Sequence, residues 1–208
     1  MVLTAALALA AAYLVGAVPI GYLVARIYGF GDIRRHGSGN IGATNVLRTA
    51  GKLPAILTLA GDIVKGYCAV ALAGAISGHR HVVATAAVLA VAGNCWSVFL
   101  GFRGGKGGAT GLGVMLRLVP WATLPAAVVW LAIALTFRLA SLATISAALV
   151  IPLGVLLFTL AGHAFGYGWP EFFATLVGAL VVVGRHHENI ARLRAGTESR
   201  IGQRAATT

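Results

Sequence analysis

Runs of about twenty residues carrying almost no charge, separated by short basic or glycine-rich segments, leave this chain few ways to fold. A water-soluble domain of 208 residues needs a charged surface, yet only 10% of these residues are charged and 59% are hydrophobic. In hydrocarbon a backbone must satisfy its own hydrogen bonds, and a helix does so within one segment. The pattern therefore predicts an all-α, polytopic integral membrane protein, with residues 1–208 forming a single domain and no internal repeat.

The net charge of +11 does not point to nucleic acid, because the basic residues punctuate the apolar runs instead of forming one patch. Spanning length marks helices near 2–25, 53–77, 82–101, 120–137, 141–161 and 172–184. The first run lacks a basic leader and is followed by Arg26, Arg34 and Arg35, so it reads as a retained helix. Arg26 to Lys52, Arg103 with Lys106, Arg138, and the tail from Arg185 through Arg204 all mark the cytoplasmic side. An even number of crossings must separate Arg103 from Arg138. A short helix near 109–119, turned at Pro120, supplies the missing one and needs protein or a water-filled cavity over its end. The expectation is seven helices, N-terminus outside and C-terminus cytoplasmic, with short, chemically poor outer loops around 77–81 and 162–171. Cys68 and Cys95 read as buried free thiols, and His79, His81 and His163 as ordinary surface or membrane-edge groups.

Three polar segments fall on the predicted cytoplasmic face. The first, Gly37 to Arg48, contains Gly-x-Gly-x-x-Gly with Asp62 twenty residues beyond. The dinucleotide reading fails, since Arg34, Arg35 and His36 stand where a buried strand should be. What survives is a backbone nest with Arg48 available for an anion. The second, Phe102 to Thr110, is not a P-loop: Leu100 takes the place of the first glycine, and Gly107 that of the magnesium-binding hydroxyl. Lys106 among glycines at a helix start is still an anion site. In the third segment, helical spacing puts His186, Asn189 and Arg192 on one face, while His187 and Glu188 point to solvent. Adjacent histidines diverge, so no metal site is expected, and no cofactor. Within the membrane, Asp62 and Lys65 are three apart and suit an ion pair supporting the pocket.

Together the three segments resemble the bacterial membrane acyltransferases that transfer an acyl group from acyl phosphate to glycerol 3-phosphate. Gly37-Ser38-Gly39-Asn40 through Asn45 and Arg48 is similar to the first family motif. Lys106-Gly107-x-Ala109-Thr110 with Gly113 is similar to the second. His186-x-x-Asn189-Ile190-x-Arg192-Leu193-x-x-Gly196-x-Glu198 is similar to the third. The resemblance implies a seven-helix enzyme of the bacterial plasma (inner) membrane with a cytoplasmic active site. It would make lysophosphatidic acid from the sn-1 hydroxyl of glycerol 3-phosphate, in functional coupling with the enzyme that produces acyl phosphate. Asn94 stands where family members often carry a histidine, so no titrating role is expected there.

On this reading His186 and Asn189 are catalytic: His186 is the one plausible protein base, and Asn189 with backbone N–H groups stabilises the oxyanion. Ser38, Asn40, Asn45, Arg48, Lys106, Thr110, Arg192 and Glu198 bind substrate, and the resemblance adds Ser141. Transfer is expected to be direct, without an acyl-enzyme, with the donor's phosphate an equal contender for the proton. No histidine has an aspartate five residues on, which removes the His-x4-Asp mechanism of soluble acyltransferases. The competing class is a small transporter for an anionic metabolite, which should show inverted repeats or polar groups reaching the outer face. A lipid phosphotransferase would need an acidic metal cluster, which five scattered acidic residues do not supply.

Overall fold

The computed structural model describes residues 2–162 and 164–203, and among them every regular element is a helix. In chain order the α-helices are α1 (Val2–Ala17), α2 (Ile20–Ile27), α3 (Ala43–Thr49), α4 (Lys52–Ser77), α5 (Arg80–Cys95), α6 (Gly108–Leu118), α7 (Pro120–Phe137), α8 (Ala140–Leu160), α9 (Trp169–Arg185) and α10 (His187–Arg194). Five segments among the described residues are long and apolar enough to cross a membrane: Val2–Ile27, Lys52–Ser77, Arg80–Leu100, Pro120–Phe137 and Ala140–Leu160. Helix α9, with 17 residues, falls just short of that length, and α6, with 11, is about 16 Å long. His163 and Arg204 lie outside the described residues.

The first apolar run is not one helix. Pro19 has no N–H to donate and disfavours helical backbone at Val18, so α1 stops and α2 restarts. Two carbonyls at the break are reached by distant side chains, Val18 O in addition to its bond from Ile20 N at 3.1 Å. Ser97 Oγ donates to Ala17 O at 2.6 Å, and Lys65 Nζ donates to Val18 O at 2.6 Å. Lys65 also pairs with Asp62 at 2.8 Å, as the spacing predicted, and donates to Asn94 Oδ1 at 2.9 Å.

Helix α6 sits against α4, α5 and α9. The α4–α6 contact is a reciprocal close approach: a methyl group on Gly66 would lie 2.2 Å from Thr110 O, and one on Gly113 would lie 1.9 Å from Ile63 O. Small residues let membrane helices gain dispersion energy where no hydrophobic driving force separates them from lipid. Pro120 opens α7 where the turn was expected, and the Trp121 N–H at the start of that helix donates to Tyr167 Oη at 3.0 Å. Leu131, Leu135, Leu153 and Leu157 form part of an exposed apolar shell of the kind lipid covers.

Two expectations are corrected. Cys95 is buried, but Cys68 is exposed, beside Tyr67 and Val64 on the face of α4 that no other helix covers. Nor are the loops expected outside chemically poor: Arg80 forks onto the buried Glu171 at 2.7 and 2.5 Å and reaches Gly166 O at 2.6 Å. That fork ties the start of α5 to the start of α9.

Removing one partner of a buried ion pair strands the other charge at a cost of about 3–5 kcal/mol. Lys65→Met should therefore lower the thermal unfolding midpoint in detergent far more than the double variant Asp62→Asn with Lys65→Met. Equal losses in both would place the stabilisation elsewhere.

Candidate active site

Each of the three polar segments is shaped by its own backbone needs before it offers anything to a ligand. In the first, Asn45 is 2% exposed and spends its amide on the loop: Oδ1 accepts from Ser38 N at 2.8 Å, and Nδ2 donates to Asn40 O at 2.8 Å and His36 O at 3.0 Å. Asn40 Oδ1 accepts from Gly42 N at 2.7 Å. Asn45, expected to bind substrate, is thus the brace that holds Ser38, while Arg48 projects from α3. Arg34 clamps Asp32 with contacts of 2.9 and 2.7 Å and holds that carboxyl down to about 2.

The second segment hangs from the end of α5, where Gly105 N donates to Asn94 O at 2.8 Å and Gly104 N to Cys95 O at 3.2 Å. Gly107 has φ +82°, a left-handed turn that starts α6 and is costly for any residue with a Cβ. Thr110, in the first turn of α6, is 1% exposed, and its Oγ1 has no hydrogen-bond partner among the described residues.

The third segment departs from the single helical face that was expected. His186 sits at a break between α9 and α10 with φ −96° and ψ 14°, while Asn189 and Arg192 ride on α10. His187 and Glu188 are exposed as anticipated, with Glu188 3.8 Å from Lys106 Nζ.

Glu198 gathers these pieces. Its Oε1 accepts from Ser141 Oγ at 2.7 Å and Asn189 Nδ2 at 2.6 Å, and its Oε2 from Arg192 Nε at 2.7 Å. Lys106 Nζ donates to Asn189 Oδ1, and Arg48 donates to Ser199 O at 3.1 Å. Burial alone would raise the Glu198 carboxyl, but the hydrogen bonds from Ser141, Asn189 and Arg192, with the Arg192 charge, hold it below its ordinary 4.5. Lys106 is held below its ordinary value chiefly by burial, with Arg192 and Arg185 adding to the effect and Glu188 and Glu198 opposing it. Arg48 is lowered by burial and Arg192 against the pull of Glu198, and its Nε is buried with no partner among the described residues. A guanidinium stays charged regardless, so Arg48, Lys106 and Arg192 surround one well-buried carboxylate with positive charge in excess.

All the anticipated site residues except Arg192 line one cavity of about 340 Å³, and Arg192 acts on it through Glu198. The cavity continues past the polar ring among Met115, Ala126, Ile151, Thr175 and Gly178. Asp62 and Asn94, which were not anticipated as site residues, also line it, as do Thr44, Thr123, Thr144 and Thr175. A carboxylate in an apolar helix was the available signal for Asp62; nothing local in the sequence marks Asn94 as the support of the Lys106 loop.

His186 Nδ1 lies 2.7 Å from Val182 O, and a carbonyl can only accept, so Nδ1 carries the proton and the lone pair of the neutral ring is on Nε2. Burial lowers its pKa from the ordinary 6.5, with Lys106 and Arg185 adding to this and the Val182 bond and Glu198 opposing it. The unfolded chain protonates first, so this group costs no stability above pH 6.5 and progressively more as pH falls below it. Ring-nitrogen NMR of the labelled protein should show a neutral His186 with the Nδ1–H tautomer at pH 7, titrating below the free-imidazole range. A pKa at or above that range would contradict the buried geometry.

Among known proteins, residues 6–196 match the family model for glycerol-3-phosphate acyltransferase. A glycerol-3-phosphate acyltransferase 2 of Moorella thermoacetica is 46% identical over 200 residues, covering 96% of this chain and 98% of the relative. One from Rubrobacter xylanophilus is 45% identical over 193 residues, 93% of each chain. Two crystal structures of PlsY (YgiH), an integral membrane glycerol 3-phosphate acyltransferase, are also similar. Its glycerol 3-phosphate form gives TM-score 0.84 at 38% identity, covering 95% of this chain and 96% of that one. Its lysophosphatidic acid form gives 0.81 at 36%, with 95% of each covered.

Proposed function

The chain belongs to the glycerol-3-phosphate acyltransferase family, and from that premise we propose how its cavity carries out the transfer, from which donor, and on which side of the membrane. It is an integral membrane enzyme that acylates glycerol 3-phosphate to lysophosphatidic acid. Membership removes the transporter reading.

The observation that carries the finer reading is the cavity's two-part chemistry. One end is ringed by Arg48, Lys106, Ser141, Asn189 and Glu198, and the other by apolar and small side chains. Such a cavity suits a molecule that is phosphate at one end and hydrocarbon at the other. Acyl phosphate is the donor that has this form without a bulky carrier. Glycerol 3-phosphate adds a second phosphate, in keeping with several cations around one carboxylate. Thr110 Oγ1 and Arg48 Nε, both without protein partners among the described residues, are free to donate to phosphate oxygens. Ser38 and Asn40, at the cavity's edge, add hydrogen bonds, and Asn45 contributes by holding Ser38.

In the transfer, the sn-1 hydroxyl oxygen attacks the acyl carbon, the bond from that carbon to the phosphate oxygen breaks, and phosphate leaves. Lys106 and Arg48 hold the phosphates in line, and Asn189, positioned by Glu198 and Lys106, donates to the oxyanion. The hydroxyl proton passes either to His186 Nε2 or to the departing phosphate. No acyl-enzyme is needed, because the mixed anhydride is already activated. The basic segments support a site on the cytoplasmic face of a bacterial plasma membrane, with seven crossings counting α6 and α9, and the N-terminus outside. An enzyme that makes acyl phosphate must supply the donor.

Purified protein given acyl phosphate and labelled glycerol 3-phosphate should form labelled lysophosphatidate, and acyl-coenzyme A in its place should give none. Equal product from the thioester would sink the donor assignment. Lys106→Ala should lower kcat/KM by at least about a hundredfold through lost phosphate positioning. His186→Gln decides the base: a near-normal rate assigns the proton to the substrate phosphate, and a loss of about a hundredfold or more assigns it to the imidazole.

A further inference from the structure

The apolar half of the cavity has a depth and a floor. On α8, Ser141, Thr144, Ala148 and Ile151 fall on one face and line the cavity, a span of about 15 Å from the polar ring downward. On α9 the cavity follows His186, Val182, Ala179 and Thr175 in the opposite chain direction. At the lower end lie Met115 of α6, Thr123 of α7, Ile151 and Thr175, each no more than 8% exposed. The two threonines direct their hydroxyl protons into their own helices, Thr123 Oγ1 to Val119 O and Thr175 Oγ1 to Phe172 O, both at 2.9 Å. The floor therefore offers a ligand no free donor, and its character is apolar.

One position on this wall stands out for the side chain it lacks. Gly178 lines the cavity with helical backbone that any residue could adopt, and a Cβ placed there would lie 3.2 Å from Met115 Cε. Its empty place and the pliable methionine tip opposite it bound the same stretch of the chamber. Thr175, Gly178 and Val182 are spaced to share that face of α9.

We infer that this chamber is a ruler for the acyl chain, and that Gly178 and Met115 set its depth and hence the longest acyl group the enzyme transfers well. This rests on the acyl-transfer reading above and adds to it a pair of specificity-determining residues that touch the chain's far end instead of the reacting atoms. A side chain at position 178 reaches into the space a long chain must fill and leaves the space of a shorter one alone. Shortening Met115 deepens the floor.

The test is an internal competition, so that expression level and partial unfolding cancel. Wild type, Gly178→Ala, Gly178→Val and Met115→Ala are each given an equimolar mixture of a medium-chain and a long-chain acyl phosphate with glycerol 3-phosphate. The two lysophosphatidates are then counted by mass spectrometry. Gly178→Val should shift the product ratio toward the shorter chain by at least about tenfold, since a pocket discriminates by that much for a single excluded methylene. Gly178→Ala should shift it the same way by less, because the Met115 tip can yield, and Met115→Ala should shift it toward the longer chain. The alanine variant keeps the test open should valine prevent folding. An unchanged ratio in the active variants, or equal losses with both donors, would overturn the ruler. Wild type that makes neither product from acyl phosphate would instead overturn the donor assignment beneath it.

Discussion

A peptide carbonyl left unpaired in hydrocarbon costs several kcal/mol, and most of this molecule's polar architecture follows from where such carbonyls arise. The break at Val18–Pro19 frees backbone in the first apolar segment, and Lys65 and Ser97 answer it. A buried ammonium then needs a counter-charge and a further acceptor, which Asp62 and Asn94 provide. Asn94 in turn offers its own carbonyl to Gly105 and so fixes the start of the Lys106 loop. A helix interruption on one side of the bundle is linked in this way, through Lys65, Asn94 and Gly105, to the lysine that lines the cavity.

The site uses the same economy with charge. Glu198 comes from the segment beyond α10 and is the acceptor that draws Ser141, Asn189 and Arg192 together. It orients the groups without cancelling them, since Arg48 and Lys106 remain in the same half-buried region. Local positive excess in a low-dielectric cleft favours a multiply charged anion over water, and a phosphate has both the charge and the acceptor oxygens to match. The break at His186 serves the same end. Were α9 and α10 one helix, the imidazole and Asn189 would be held in fixed register; the bend lets one side chain cap Val182 while the other reaches Lys106.

Much of the plan was legible in the order of residues. Apolar runs located the long helices, Pro120 the α6–α7 turn, and the i,i+3 spacing the Asp62–Lys65 pair. The three motif segments supplied most of the cavity's polar ring, though not Ser141 or its apolar wall. Other features were illegible for physical reasons. Pro19 near the end of an apolar run reads as easily as a tolerated kink as it does as a break, because the deciding groups lie far along the chain. Arg80 and Glu171 are 91 residues apart, so no local pattern pairs them. Asn45 looks like any polar loop residue until its backbone partners surround it.

The order of residues alone determined the solvent, the helical class and the chemical types in the site, because hydropathy, charge and motif spacing are local properties of a chain. Tertiary structure decided which polar groups are spent on the fold and which stay free. It turned Asn45 and Glu198 into organisers, left Thr110 Oγ1 and Arg48 Nε unspent, and assigned the His186 tautomer through a single carbonyl. It also created the chamber beneath the polar ring, whose depth depends on how close four helices come. That distance is set by side-chain volumes meeting across helices, which no one-dimensional spacing records.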